Sequence, residues 1–175
     1  MIDMTQHPTL ATPAARRTFL TLCGSAASAS AALLLGCSGQ TSAATTATFR
    51  LSDAEWRKRL SREAYYVLRQ AGTEAPFSSP LNDEHRPGSF ICAGCALPLF
   101  SSTTKFDSGT GWPSFYDHLP RAIGEGSDTS LLLARTEVHC ARCAGHLGHV
   151  FDDGPKPTGL RYCMNGVAMR FVAKG

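Results

Sequence analysis

What the chain lacks narrows it first. Charge is sparse: 18% of its 175 residues are Asp, Glu, Lys or Arg, and the formal net charge is only +3, less charge than soluble domains usually carry. Residues 1–37 hold only Asp3, Arg16 and Arg17, so without them the rest stands at +2, evenly scattered. A phosphate-binding face needs clustered Lys and Arg, so no nucleic-acid partner is expected. Long hydrophobic runs are missing too. The best stretch covers about 17 residues from Phe19, is weakly apolar, and sits at the short limit for spanning a bilayer. No internal repeat and no second domain is visible. The length suits one ordinary domain with a tail to spare.

The tail is rich in Ala, Ser and Thr. Arg16-Arg17-Thr18-Phe19-Leu20 is a twin-arginine pair leading into apolar residues, and Leu22 to Leu35 carries no charge. A basic start, an apolar middle and small residues at a cleavage point read as an export signal rather than a membrane anchor. Leu34-Leu35-Gly36-Cys37 is similar to the lipobox of bacterial lipoproteins, although Leu before the Gly is less usual there. Lipidation of Cys37 and simple cleavage near this point are the two alternatives. The expected partition is a signal over 1–37, a flexible polar tether over 38–48 (SGQTSAATTAT) and a catalytic domain over 49–175. The expected place is a bacterial envelope, in the periplasm, with lipidated Cys37 as a membrane tether on the first alternative.

Ser52-Asp53-Ala54-Glu55 has the form of a capping box, and Trp56, Leu60, Ala64, Val67 and Leu68 follow at helical spacing as far as Gly72. This predicts one amphipathic helix over 53–71. After Pro76, Gly, Pro and Ser punctuate the chain every 6–12 residues. The β-prone runs between them are Ser89–Ile91, Leu131–Thr136, Val138–His139, Leu160–Cys163 and Ala168–Val172. The prediction is a mainly β, antiparallel domain behind a helical amino-terminal segment, with long loops.

Seven cysteines are many, and the odd number matters. Cys23 and Cys37 lie in the tail. Cys92-Ala-Gly-Cys95 and Cys140-Ala-Arg-Cys143 are two knuckles with 44 residues between them. Zinc takes four soft ligands in a tetrahedron, and each C-x-x-C turn supplies two sulfurs at the right bite. Two disulfides, or redox pairs of the thioredoxin type, are the alternatives. A redox pair usually opens a helix, and neither knuckle precedes a helical pattern. Four Cys would close the shell, leaving no position for water, so the expected Zn2+ is structural.

Cys163 is left over, in Arg161-Tyr162-Cys163-Met164-Asn165. A free cysteine is most often inert core. Here strand alternation puts the Arg161 cation, and Asn165, on the face of the sulfur, which favours thiolate. His146 and His149 in GHLGHVF are candidate general acids for a reaction that protonates an oxygen. Trp112, in Gly111-Trp112-Pro113-Ser114-Phe115, is either core or the wall of an apolar pocket.

With those residues named, a resemblance emerges. FDSGTGWPSF (106–115), HLGHVF (146–151), RYCMN (161–165), GTEAPF (72–77) and the two knuckles resemble, in order and spacing, the methionine sulfoxide reductase B family over about residues 51–172. The resemblance implies two antiparallel sheets with a short helical start and a structural zinc. It implies reduction of methionine-R-sulfoxide, mainly in oxidised proteins or peptides, as repair under oxidative stress; the other epimer needs a separate enzyme. It implies Cys163 as attacking thiolate, His149 and His146 as the groups that polarise and protonate the sulfoxide oxygen, and Asn165 as the residue that orients substrate. Trp112 would pack on the ε-methyl group, Arg161 would tune the thiolate, and Phe115 and Phe151 would belong to the substrate pocket. Many members carry a resolving cysteine as GCGW, where this chain has Thr110. The sulfenic acid on Cys163 is therefore expected to be reduced by an external thiol, a thioredoxin-like protein, with the enzyme a monomer.

Rivals remain at this point. A zinc-ribbon binding module explains the knuckles but not Cys163, the paired His or the aromatic loop. A non-catalytic survivor of the fold, or a metal-transfer protein, is the other choice.

Overall fold

The computed structural model describes residues 49–130 and 134–175. The expected signal, the tether, Cys23, Cys37 and the first half of the run Leu131–Thr136 lie outside the described residues.

The capping box forms: the Glu55 amide donates to Ser52 Oγ at 3.4 Å, and the Ser52 amide donates to Glu55 Oε2 at 2.7 Å. The single helix expected over 53–71 is instead two, α1 (Asp53–Arg59) and α2 (Arg62–Gln70). The break follows from Ser61. Its hydroxyl accepts from the Ala64 amide at 3.1 Å and starts a second N-cap, the local competition that Ser offers a helix interior. The apolar stripe survives the break, since Trp56, Ala64, Tyr65, Val67 and Leu68 are all buried. Tyr66 points out. The left-handed residue ending α2 is Ala71 (φ 52°) rather than Gly72. Gly72 answers a different need, because a Cβ there would lie 2.2 Å from the Tyr66 ring.

Nine strands follow among the described residues: β1 (Gly88–Cys92), β2 (Pro98–Ser101), β3 (Lys105–Phe106), β4 (Ser114–Phe115), β5 (Ile123–Asp128), β6 (Arg135–Cys140), β7 (His146–Phe151), β8 (Arg161–Met164) and β9 (Met169–Ala173). They make two antiparallel sheets, ordered β2-β1-β9 and β3-β4-β8-β7-β6-β5. The expected runs Ser89–Ile91, Val138–His139, Leu160–Cys163 and Ala168–Val172 fall on β1, β6, β8 and β9. Strands β2, β3, β4, β5 and β7 fall on none of the expected runs: β2 opens on Pro98, as an edge strand can, and β5 is IGEGSD.

The sheets meet through aromatic rings. Phe100 of β2 stacks on Phe115 of β4 at 4.4 Å between centroids, and Phe90 of β1 meets the same ring edge-on at 4.9 Å. All three are fully buried. Each such ring buries 150–250 Å², so this cluster is the seam on which the larger sheet, and everything mounted on its other face, is held.

Candidate active site

Residues directly opposed on neighbouring antiparallel strands share a face. Across the larger sheet, Ser114 of β4 opposes Cys163 of β8, Cys163 opposes His149 of β7, and His149 opposes Glu137 of β6. Two residues along, Arg161 opposes Phe151. These side chains therefore stand together on one surface. His146 joins them by a bulge. The register runs Val138 to Gly148 and then His139 to His146, so Leu147 is an extra residue. Leu147 sinks into the core, and the His146 and His149 ring centroids come to 5.3 Å. Beside Cys163, Gly148 is dictated by space, because a Cβ there would sit 2.1 Å from the Cys163 carbonyl oxygen.

Each imidazole is held by a carboxylate. His146 Nδ1 donates to Glu137 Oε1 at 2.7 Å, and His149 Nε2 donates to Asp128 Oδ2 at 2.7 Å. Asp128 is held well below the usual carboxylate range by hydrogen bonds from Ser130, then from His149 and Arg135. Burial pushes His149 below the ordinary histidine value, against the pull of Asp128. The His146 Nε2 atom is buried and has no hydrogen-bond partner in the protein. A buried polar atom without a partner is costly, on the order of 1–3 kcal/mol.

Cys163 is half-buried on this face. Three hydroxyls surround it in a chain: Thr110 Oγ1 lies 3.8 Å from its sulfur, and Ser108 Oγ lies 2.8 Å from Thr110 Oγ1 and 2.8 Å from Ser114 Oγ. Burial pushes the Cys163 thiol up, and Thr110, the Arg161 charge and Ser114 pull it down without fully offsetting that. Burial thus opposes the donors that the sequence placed beside the sulfur. Arg161 is on the expected face, but its guanidinium forms a bidentate pair with Asp153 at 2.8 and 2.9 Å and lies over the Phe151 ring at 4.4 Å.

Two expected positions differ. Phe115 is fully buried between Phe90 and Phe100, on the opposite face of β4 from Ser114 and Cys163. It is a core ring rather than a substrate contact, because alternation sends neighbours to opposite faces. Asn165 lies beyond the end of β8 at Met164, so alternation does not carry it to the sulfur's face. It is buried, with Nδ2 donating to Leu147 O at 3.0 Å and Oδ1 accepting from the Glu74 amide at 2.9 Å. Trp112 is half-buried, its indole N–H donating to Glu74 O at 3.2 Å. Its loop is tied to β8, where the Met164 amide donates to Pro113 O at 2.9 Å.

Sequence reasoning named Cys163 and both histidines but missed Ser108, Ser114, Asp128 and Glu137 around them, and Glu74 as the partner of Trp112 and Asn165. Glu137 and Asp128 find the imidazoles through strand register, which no local spacing reveals.

Behind the site sit the knuckles. The four sulfurs of Cys92, Cys95, Cys140 and Cys143 lie within 4.8 Å of one another, all buried. Cys92 is 3.7 Å from Cys143, and Cys95 is 3.5 Å from Cys140. Four thiolates bound at about 2.3 Å around a tetrahedral zinc lie about 3.8 Å apart, so the cluster fits that ion, and it is no disulfide. The two turns are matched: Ala96 donates to Cys92 O and Ala144 to Cys140 O, with Ala96 and Ala144 both left-handed (φ 59° and 54°). Arg59, Arg142 and Arg69 donate to the carbonyls of Gly94, Cys95 and Cys143, fastening both helices to the metal centre. The zinc is structural, holding the fold with Cys92, Cys95, Cys140 and Cys143 as its ligands.

The SelR domain family matches residues 60–173. The chain is 54% identical over 124 residues to a peptide methionine sulfoxide reductase MsrB of Thiobacillus denitrificans, covering 70% of this chain and 94% of that one. It is 57% identical over 122 residues to an MsrB of Leifsonia xyli, covering 69% and 88%. It is also 51% identical over 124 residues to the chloroplastic peptide methionine sulfoxide reductase B1 of Arabidopsis thaliana, covering 70% and 61%.

Proposed function

The chain belongs to the peptide methionine sulfoxide reductase MsrB family and reduces methionine-R-sulfoxide, and we propose that Cys163 is the nucleophile, with His146 and His149 serving the sulfoxide oxygen. The observation that carries this reading is the buried, unpartnered His146 Nε2 on the face that bears Cys163. A sulfoxide oxygen brought over that face supplies the missing partner. With Nδ1–H given to Glu137, a doubly protonated His146 presents Nε2–H to that oxygen, and withdrawing its electrons makes the sulfoxide sulfur electrophilic.

The Cys163 thiolate attacks the substrate sulfur as the oxygen takes up two protons and leaves as water. That water then adds to the Cys163 sulfur as the new sulfur–sulfur bond breaks and one proton is released. The oxygen, protonated, ends on Cys163 as a sulfenic acid, and methionine leaves as the thioether. Methionine sulfur gains the two electrons that Cys163 loses. Trp112 packs against the substrate methyl group, and Arg161, locked by Asp153 over Phe151, adds positive potential near the thiolate. Asn165 acts on substrate position through the turn it holds. Among the described residues the other cysteines sit at the metal, and Thr110 stands beside Cys163. One external thiol therefore captures the sulfenic acid as a mixed disulfide with loss of water, and a second thiol releases Cys163. A thioredoxin-like dithiol suits this, acting on a monomer.

The assay is reduction of the separate R and S epimers of dabsylated methionine sulfoxide with dithiothreitol. The R epimer alone should be consumed, and Cys163→Ser should abolish turnover while retaining stoichiometric zinc. Turnover surviving in Cys163→Ser overturns the assignment of the nucleophile.

The same proposal places the enzyme in the bacterial envelope. Support comes from the Arg16-Arg17 pair, the apolar stretch after it and Leu34-Leu35-Gly36-Cys37, with 38–48 as the tether. The twin-arginine route carries folded cargo, which suits a domain that must take up zinc first. No helix among the described residues is long and apolar enough to cross a membrane. Lipidated Cys37 is the tether of this proposal, and cleavage near it the alternative. Labelled fatty acid incorporated into the wild type but not into Cys37→Ala supports the tether, and a cytoplasmic, unprocessed chain contradicts it.

A further inference from the structure

Glu74 lies on the segment leading from α2 to a 3-10 turn at Pro80–Asp83, and all of its hydrogen-bonding groups are engaged with three parts of the site. Its amide donates to Asn165 Oδ1 at 2.9 Å, and its carbonyl accepts from the Trp112 indole at 3.2 Å. Its carboxylate accepts from the amide of Gly166 through Oε1 at 2.5 Å and from that of Val167 through Oε2 at 3.0 Å. Gly166–Ala168 is the 3-10 turn that follows β8, and its own N-cap residue, Asn165, provides no side-chain cap. Without Glu74 the first two amides of that turn would have no acceptor. Nor can a side chain at position 166 take over, since a Cβ there would lie 1.8 Å from Ser79 Oγ.

We propose that Glu74 is a positioning residue that sets the place of the Trp112 indole relative to the Cys163–Asn165 segment. The carboxylate anchors the Glu74 backbone to the turn leaving the nucleophile, and the same backbone carries the indole and the Asn165 amide. The walls of the substrate cleft are thereby tied by one residue instead of by the loop 107–113 alone. This rests on the reading that Trp112 packs against the substrate methyl group. A residue acting this way is felt in substrate binding more than in the chemical step, because it moves a wall and leaves the sulfur's own donors, Thr110 and Arg161, in place.

The test uses the full chain with Trp56→Phe, which leaves Trp112 as its sole tryptophan. In Glu74→Ala, the KM for a methionine-R-sulfoxide peptide should rise roughly tenfold with kcat within about threefold. Trp112 emission should shift to longer wavelength, while zinc content and the alkylation rate of Cys163 stay as in the parent. Glu74→Gln, which keeps the length and one acceptor oxygen, should recover much of both readouts. A lowered melting temperature with KM and Trp112 emission unchanged, measured well below melting, would mean a structural strut only and overturns the inference. Trp112→Ala, run alongside, separates the two claims. If KM rises there and not in Glu74→Ala, the inference alone fails; if KM is unmoved in Trp112→Ala, the reading of Trp112 at the substrate fails and the inference with it.

Discussion

At the scale of single residues, the reactivity of Cys163 is a contest between burial and a few donors. Burial raises the thiol, and Thr110 is the first group opposing it. Hydrogen bonds to charged groups are worth about 1.5–3 kcal/mol, so Thr110→Val, which keeps the shape and drops the hydroxyl, should slow iodoacetamide alkylation of Cys163 at neutral pH roughly tenfold. Its midpoint should move further above that of ordinary cysteine, and Thr110→Ser should restore it. An unchanged alkylation profile in Thr110→Val would show that the hydroxyl chain is idle. His149 gives a second residue-level test. Its folded value is depressed by burial, so the unfolded chain binds that proton more tightly, and the contribution is fully present above the unfolded value and lost as pH falls through about 6.5. Melting temperatures should decline as pH drops from 7 to 5, and less steeply in His149→Gln; parallel declines would remove His149 from the account. Cys163, the knuckle cysteines and both histidines were legible as letters because their signals are local: C-x-x-C bites and an unpaired sulfur. Their partners were not, since Glu137 reaches His146, and Asp128 reaches His149, through the register of β5, β6 and β7, which no local motif spells out.

At the scale of elements, strand β7 decides the site's geometry. The Leu147 bulge turns two histidines three apart in sequence onto one face, and Gly148 lets β7 pass against the Cys163 carbonyl. Gly148→Ala forces backbone against backbone, so a loss of roughly 1–3 kcal/mol is expected, with activity falling beyond what the stability loss explains. Denaturant unfolding and kcat/KM measured on one preparation check this; wild-type activity in a folded Gly148→Ala would show that β7 and β8 tolerate separation. Strand β4 works through its hidden side. Phe115 is stacked in the seam between sheets while its neighbour Ser114 faces the sulfur. Phe115→Leu should therefore cost stability first, with substrate KM little changed in the folded fraction; a KM effect at unchanged stability would return Phe115 to the substrate pocket. Sequence periodicity found the stripe of α1 and α2 but not the break, because Ser61 is compatible with both a helix interior and an N-cap. It missed β7 because a strand of His and Gly reads as chemistry before it reads as structure.

At the scale of the whole molecule, one buried metal centre and one aromatic seam hold two small sheets and two short helices in a single arrangement. The four thiols gather residues 92–95 and 140–143, and arginines from α1 and α2 cap the knuckle carbonyls. Zinc binding is in that case folding free energy. Chelation at elevated temperature should collapse near-UV dichroism and activity together, and Cys140→Ser should do the same without chelator, whereas Cys163→Ser should keep zinc and melting temperature. Activity that survives complete zinc loss would contradict the structural role. The fold class was readable from punctuation and the paired knuckles; the assembly of the site was not, because it depends on which strands become neighbours. The most direct measurement of the central claim is mass spectrometry of the protein after one turnover without reductant. With a methionine-R-sulfoxide peptide, Cys163 should gain a single oxygen that dimedone traps, and the S epimer should leave the protein unchanged. An unmodified Cys163, or a disulfide joining it to another cysteine of the same chain, would contradict it.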